Sequence, residues 1–403
     1  MQSRPTRRQI LRSFPPLPFA LRAVAGSLEG SREGSGGGSG EGSNPSDSRW
    51  LLLGTDTPKG IFRARWNAER GDLSEIQAVA ATDHPTYLAM HPRYPILYAV
   101  NEVPVGDGAL SSFHLDPETA ALTALSRVSS DGNGPCFVSV DATGQTAFVA
   151  NYGGGSFAAF NLNPDGAMRN AAFFACDKNP ACGVAGPKPH RQDAAHLHSA
   201  TLSPDNRFVL VCNLGEDAIE IFPIHPGAAQ PVEAPARVAT RAGSGPRHVA
   251  FHPNGLWLYC LHELDCTIDL YDWNVSNGLP APALRQGSVV STLASPAALP
   301  ESIACEISVS PDGRFVYANT RGENSLVVYR VNASTGLLSE TQRVFTGGGL
   351  TRHFAFDPSR RWLLCANQGT STVTVFAHDP STGRLSDASR AFVVEHPMFL
   401  QFV

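Results

Sequence analysis

The chain has 403 residues, 42% of them hydrophobic and 17% charged, which is enough apolar material for a large core. Lys and Arg total 31 against 36 Asp and Glu, and no block of like charge stands out beyond residue 50, so a general nucleic-acid-binding surface is excluded. No run reaches the roughly 18 consecutive apolar residues of a membrane-spanning helix.

Residues 1–27 hold five arginines and no acidic residue, with an apolar stretch around Leu17 to Val24 and the small-residue pattern Ala23-Val24-Ala25. That is the outline of an export signal, and TRRQIL, from Thr6 to Leu11, resembles the twin-arginine type that carries folded proteins to the periplasm. A transit peptide to an organelle, or a basic tail on a cytoplasmic protein, is the alternative. Residues 28–49 are rich in Gly and Ser with scattered charge, a composition that cannot bury enough apolar area to offset the entropy of ordering. They read as a linker, and the folded unit spans 50–403.

From Trp50 onward one pattern recurs. An apolar strand leads through a turn of the Pro-Asp-Gly kind to a second apolar strand, followed by a third β-rich run. The copies are YLAMHPRYPILYAVNE, FVSVDATGQTAFVANY, ATLSPDNRFVLVCNL, HVAFHPNGLWLYCLHE, EISVSPDGRFVYANTR and FAFDPSRRWLLCANQ, with turn positions at Pro92, Ala142, Pro204, Pro253, Pro311 and Pro358, 47 to 62 residues apart. Repeats of this length without helical periodicity predict propeller blades. The two ends supply a seventh. WLLLGTDTPKGIFRARW holds a second and third strand with no first, and EHPMFLQFV holds a first strand with nothing after it. Joining them predicts an all-β, seven-bladed β-propeller closed as a ring by its C-terminal strand, which removes the exposed edges of an open array.

In such a ring the start of each first strand and the end of each second strand look into one pocket. The first column, six positions before the turn, reads Thr86, Cys136, His198, Arg247, Cys305 and Arg352, with Met398 from the last strand. The second, ten positions after the turn, reads Glu102, Tyr152, Leu214, Glu263, Arg321 and Gln368. A purely structural repeat would favour Val, Ala or Thr here, yet these positions gather charge, and their neighbours include His248, Glu306 and His353. Several arginines converging in one pocket favour a small anionic ligand, because guanidinium forks suit carboxylate and phosphate. A structural ring of paired charges is the alternative from spacing alone.

Other signals are weaker. NYGGG, from Asn151 to Gly155, lacks the following helix of a phosphate-binding loop and reads as a tight turn between strands. His190, His196 and His198 invite a metal reading, but no third ligand is apparent at suitable spacing, and no metal is expected. Cys136, Cys212, Cys260 and Cys365 sit in apolar runs and read as core, whereas Cys176 and Cys182 lie in looser sequence and could pair in an oxidising compartment.

At these same residues the sequence resembles the propeller-type 6-phosphogluconolactonases, a lactonase family that also takes in the carboxymuconate cyclases. The likeness is closest over HSATLSPDNRFVLVCNLGEDAIEIF and GSGPRHVAFHPNGLWLYCLHELDCTIDLY and extends essentially from Trp50 to Val403. The resemblance implies hydrolysis of a sugar δ-lactone, 6-phosphoglucono-1,5-lactone above all, as in the pentose phosphate pathway, with no metal or organic cofactor. It implies functional roles for His198, Arg247, Glu263 and Arg321. On that basis Glu263 or His198 would be the general base, Arg247 would stabilise the oxyanion, and Arg321, Arg352, His248, Glu306, Glu102, Tyr152 and Gln368 would bind substrate. A cycloisomerase acting on a carboxymuconate-like diacid, or a non-catalytic exported propeller holding an anionic ligand, are the competing readings. The basic N-terminus and the insertion from Asp177 to Ala195 depart from the family pattern.

Overall fold

The computed structural model describes residues 48–403 except 104–105, 177–181, 277–278, 281, 286 and 389. The export-like segment 1–27 and most of the linker lie outside the described residues. Among the described residues, seven antiparallel sheets of four or five strands follow one another along the chain as blades, each in a meander that runs outward from the axis, with one two-stranded ribbon besides. The innermost strands of six blades are Leu88–Met90, Pro135–Val140, Leu197–Leu202, Pro246–Phe251, Ile303–Val309 and Thr351–Phe356. The seventh is Pro397–Phe402, which pairs with Ser48–Thr55 so that Leu51 faces Phe402 and Leu53 faces Leu400. The two ends of the folded unit therefore make one blade, as the half-patterns predict.

The second strands, such as Ile96–Asn101, Phe208–Asn213 and Phe315–Arg321, are buried along their whole length. Each is covered on both faces by neighbouring sheets, which is why they read as continuous apolar runs rather than alternating ones. The outer strands face solvent and are half-buried or exposed throughout, as in Leu122–Ser129. The apolar core is accordingly divided into slabs between adjacent blades. One packs Phe148 and Phe157 against Val209 and Phe222, and the slab across the closure packs Leu51 and Trp66 against Leu364 and Val373.

Polar links repeat between blades. Second-strand tyrosines donate hydroxyl hydrogen bonds to a carbonyl in the outer turn of the next blade: Tyr98 to Gly166 O at 3.2 Å, Tyr259 to Gly336 O at 2.8 Å and Tyr317 to Gly383 O at 3.1 Å. The accepting glycines have positive φ, which lets the turn carbonyl point inward. At the inner hairpins His91 and His252 reach the next blade's turn through Gly144 O and Gly313 O.

The inner strands carry one shared irregularity. Pairing skips a residue between Pro135 and Phe137, Leu197 and Ser199, Pro246 and His248, Ala304 and Glu306, and Thr351 and His353. The skipped residues are Cys136, His198, Arg247, Cys305 and Arg352; on the closing strand Met398 is skipped in the same way. Each is a β-bulge at the mouth of a blade, an element that re-aims a side chain and frees it from the strict two-residue alternation.

Removing residues 397–403 would strip the inner partner from Leu51–Thr55 and expose the slab beneath it. The truncated chain is expected to lose its sharp cooperative thermal transition, checked by circular dichroism melting. Retention of the full-length midpoint within a few degrees would contradict the closure.

Candidate functional site

The bulges determine what faces the channel. With the register broken, both the bulge residue and the one after it turn toward the axis, so Arg247 with His248 and Arg352 with His353 line a pocket shared with Glu306 and Glu102. Met398 and Phe399 of the closing strand complete its apolar wall.

Beneath this pocket, Glu263 is 1% exposed and sits at the centre of a buried ion cluster. One carboxylate oxygen accepts from Arg247 and also lies 3.4 Å from Arg321 Nη2 and 3.5 Å from His198 Nε2. The other accepts from Arg191. Burial alone would raise the Glu263 pKa, but the guanidiniums of Arg247, Arg191 and Arg321, with His198 beside them, outweigh it and hold the carboxyl well below its usual range. His198 Nε2 accepts a hydrogen bond from Arg247 Nη1 at 2.5 Å, since a guanidinium can only donate. Arg247 also donates through Nε to Cys305 O at 2.5 Å, which ties the cluster to the next blade.

A second buried carboxylate behaves differently. Glu306 accepts from His248 Nδ1 at 2.9 Å and from the backbone N–H of Ile307 at 3.0 Å, with His353 Nε2 at 3.9 Å on its far side. Burial raises its pKa, but His248 and His353 together with the Ile307 amide bring it down to about 2. Burial pushes both imidazoles the other way, below their ordinary value, and His353 to about 4. At neutral pH this is an ionised carboxylate between two neutral rings.

The structure thus brings together Glu263, His198, Arg247 and Arg321 as one ion cluster, and Arg352, His248, Glu306 and Glu102 as pocket lining. Two predicted binding residues stand outside that lining, although the Tyr152 ring lies edge-on to His198 of the ion cluster at 5.3 Å between centroids. Tyr152 stacks on the ring of His196 at 4.5 Å between centroids, and Gln368 donates to Asp56 Oδ2 at 3.0 Å, an aspartate that also holds His84. Neither reaches the pocket lining.

Arg191 is the residue that spacing does not reveal. It lies in the insertion, outside the repeat, and its approach to Glu263 is set by three anchors: Lys188 Nζ donates to Leu264 O, Gln192 Nε2 to Leu214 O, and the Gly186 N–H to Gly215 O. Arg191 Nη2 also reaches Tyr152 Oη at 3.3 Å. Extending the bulge offset by one residue would have found Tyr87, whose ring lies edge-on to both His248 and His353.

His196 is engaged by Tyr152 O and Asp193, and His198 belongs to the ion cluster. Among the described residues, the group whose ligand atoms come within 4.8 Å of one another is Cys176, Cys182, Glu216 and Glu220. Arg237 already bridges its two carboxylates, and Glu216 also accepts the Gly183 N–H, so the group fastens the insertion to the neighbouring blade. Cys176 and Cys182 are free thiols rather than a disulfide. NYGGG forms a tight turn between strands, and its Tyr152 and Gly154 N–H groups donate to Gly134 O and Asn133 O in the loop before Pro135–Val140.

Comparison with known proteins gives one consistent answer. The family described as lactonase, 7-bladed beta-propeller, matches residues 50–402. The 6-phosphogluconolactonase of Bacillus subtilis strain 168 is 32% identical over 307 residues, covering 75% of this chain and 82% of that protein. The 6-phosphogluconolactonase of Formosa agariphila is 29% identical over 324 residues, covering 77% and 86%. The solved periplasmic gluconolactonase of Pseudomonas aeruginosa superposes with a TM-score of 0.79 at 30% identity, over 88% of this chain and 99% of that one.

Glu263→Gln would leave buried guanidiniums without their carboxylate, and is expected to cost about 3–5 kcal/mol of stability in urea unfolding near neutral pH. Because the folded pKa of Glu263 is depressed, its contribution is present above the unfolded carboxylate value of about 4.3 and is lost as pH falls through the folded value. The gap between wild type and variant should therefore close only below about pH 4.

Proposed function

The chain belongs to the lactonase family of seven-bladed β-propellers and is a lactone-hydrolysing enzyme, and on that premise we propose that its substrate is a sugar δ-lactone bearing an anionic arm, 6-phosphoglucono-1,5-lactone first among them. The observation that carries this reading is the pair of arginines in the pocket wall, Arg247 and Arg352, 3% and 6% exposed, in a site that opens beside further buried guanidiniums. Each guanidinium has five donors in a rigid fork, so one engaged by a protein acceptor still has N–H groups to offer a phosphate or carboxylate.

Roles follow from position. Arg247 is pinned from below by Glu263 and from the side by Cys305 O, which fixes it without solvent reorganisation. A preorganised donor of this kind is suited to the negative charge that gathers on the lactone carbonyl oxygen during attack by water. Arg352 holds the anionic arm, and Glu102, held by a 2.7 Å hydrogen bond from Thr86, accepts from sugar hydroxyls. Glu263 serves as the anchor of the arginines. Its protonation is strongly disfavoured, which makes it a poor acceptor for a water proton near neutrality, and that step passes to a histidine.

A second substrate reading is favoured by the arginine-rich residues 1–27 together with the likeness to a periplasmic gluconolactonase. Outside the cytoplasm an unphosphorylated gluconolactone would be the substrate. A pH-stat assay comparing phosphorylated with unphosphorylated glucono-1,5-lactone, corrected for spontaneous opening, decides between them. Arg352→Gln is expected to raise KM for the phosphorylated lactone by about tenfold or more, consistent with losing a charge-assisted hydrogen bond, and to change KM for the unphosphorylated one much less. No acceleration of either lactone would overturn the substrate assignment.

A further inference from the structure

Three histidines, His198, His248 and His353, stand near the reacting centre, and their surroundings separate them: His353 comes only to within 3.9 Å of Glu306, beyond the hydrogen-bond distance that would let the carboxylate fix its tautomer. The Nε2 lone pair of His198 is already taken by the Arg247 N–H. His248 is held by its other nitrogen: ionised Glu306 can only accept, so the hydrogen bond at 2.9 Å places the ring proton on Nδ1 and leaves the lone pair on Nε2. Nε2 makes no hydrogen bond among the described residues, and His248 belongs to the pocket wall beside Arg247 and Arg352. The ring is wedged edge-on against Tyr87, Phe137 and His198, with centroids 6.5, 5.5 and 5.5 Å away, so it cannot swing out of alignment without disturbing three neighbours.

Resting on the lactonase reading, we infer that His248 is the general base of the reaction and that Glu306 is its positioning residue. A carboxylate that fixes the tautomer of an imidazole and stabilises the imidazolium is the arrangement that lets a neutral histidine take a proton from a nucleophile. Water lies between Nε2 and the lactone carbonyl carbon. Its oxygen forms the new C–O bond, one of its protons passes to His248 Nε2, and the carbonyl π pair moves onto the oxygen held by Arg247. On collapse the carbonyl re-forms and the ring C–O bond breaks. The departing ring oxygen takes the proton back from Nε2 and becomes a hydroxyl. The new carboxylic acid releases its remaining proton to solvent, and no metal, redox partner or covalent enzyme intermediate enters the balance.

The groups facing His248 are Glu306 and His353 from the two following blades, Arg247 on its own strand, Glu263 and His198 from the ion cluster, and Tyr87 across the channel. Burial outweighs the acidic neighbours and keeps the imidazole below its ordinary pKa of 6.5. The base form is therefore present at neutral pH and is lost as pH falls.

The test uses the full chain in a pH-stat with glucono-1,5-lactone and its 6-phosphate. His248→Gln is expected to lower kcat by about 100-fold or more with KM within a few-fold, the span of a lost general base. It should also abolish the acidic limb of the kcat profile. Glu306→Gln should lower kcat less and move that limb to lower pH, because the carboxylate that favours the imidazolium is gone; a merely structural carboxylate would leave the limb in place. A His248→Gln enzyme within threefold of wild type, or one that keeps the limb, overturns the assignment. If the variants do not fold, the wild-type profile of kcat/KM remains decisive: a single acidic limb below pH 6.5 is required, and a flat profile from pH 4 to 8 overturns it. Absence of hydrolysis by the wild type would instead remove the lactonase reading beneath it.

Discussion

The channel chemistry depends on a break in strand pairing that recurs around the ring. A regular strand sends alternate side chains to opposite faces, and each inner strand of a propeller would then offer one side chain per two residues to the axis. The bulges at Cys136, His198, Arg247, Cys305, Arg352 and Met398 change that count. Two adjacent residues turn inward at each blade mouth, so a narrow channel holds Arg247 with His248 and Arg352 with His353. Without the bulges, Arg247 and His248 could not be neighbours in sequence and also share a pocket.

The same geometry divides labour between two carboxylates a short distance apart. Glu263 lies among arginines and is locked in its ionised form; Glu306 lies between imidazoles that burial keeps neutral. The first organises cations, and the second holds one imidazole in a single tautomer. Opposed environments for chemically equivalent groups are how one site separates electrostatic stabilisation from proton transfer.

Much of this was legible in the sequence because the repeat is strict. The turn spacing gave the blade count, the incomplete ends gave the closure, and counting from each turn placed His198, Arg247, Glu263 and Arg321 at one level. The same count placed Tyr152 and Gln368 at that level too, and both make their contacts outside the pocket lining. Tyr152 is drawn off by His196 and by Arg191 from an insertion that has no register, and Gln368 by Asp56 in the blade built from both ends of the chain. Arg191 was illegible for the same reason: a residue outside the repeat has no predictable depth. The sharing of the inward direction by consecutive residues was also hidden, since a bulge leaves no sign in the apolar pattern and shows only in the hydrogen-bond register.

The seam between Leu51–Thr55 and Pro397–Phe402 also bears on how the molecule comes into being. The strand that seals the barrel-like wall is the last part of the folded unit to leave the ribosome, while its partner is among the first. Every other blade can assemble from contiguous chain as it emerges, but the first sheet must wait with an unsatisfied inner edge until Pro397–Phe402 has emerged. Pairings across such long sequence separation form slowly, and a waiting strand edge invites association with other chains. The enzyme's pocket, which takes Met398 and Phe399 from that closing strand, therefore comes into existence only once that strand has emerged, in one step shared with closure of the ring.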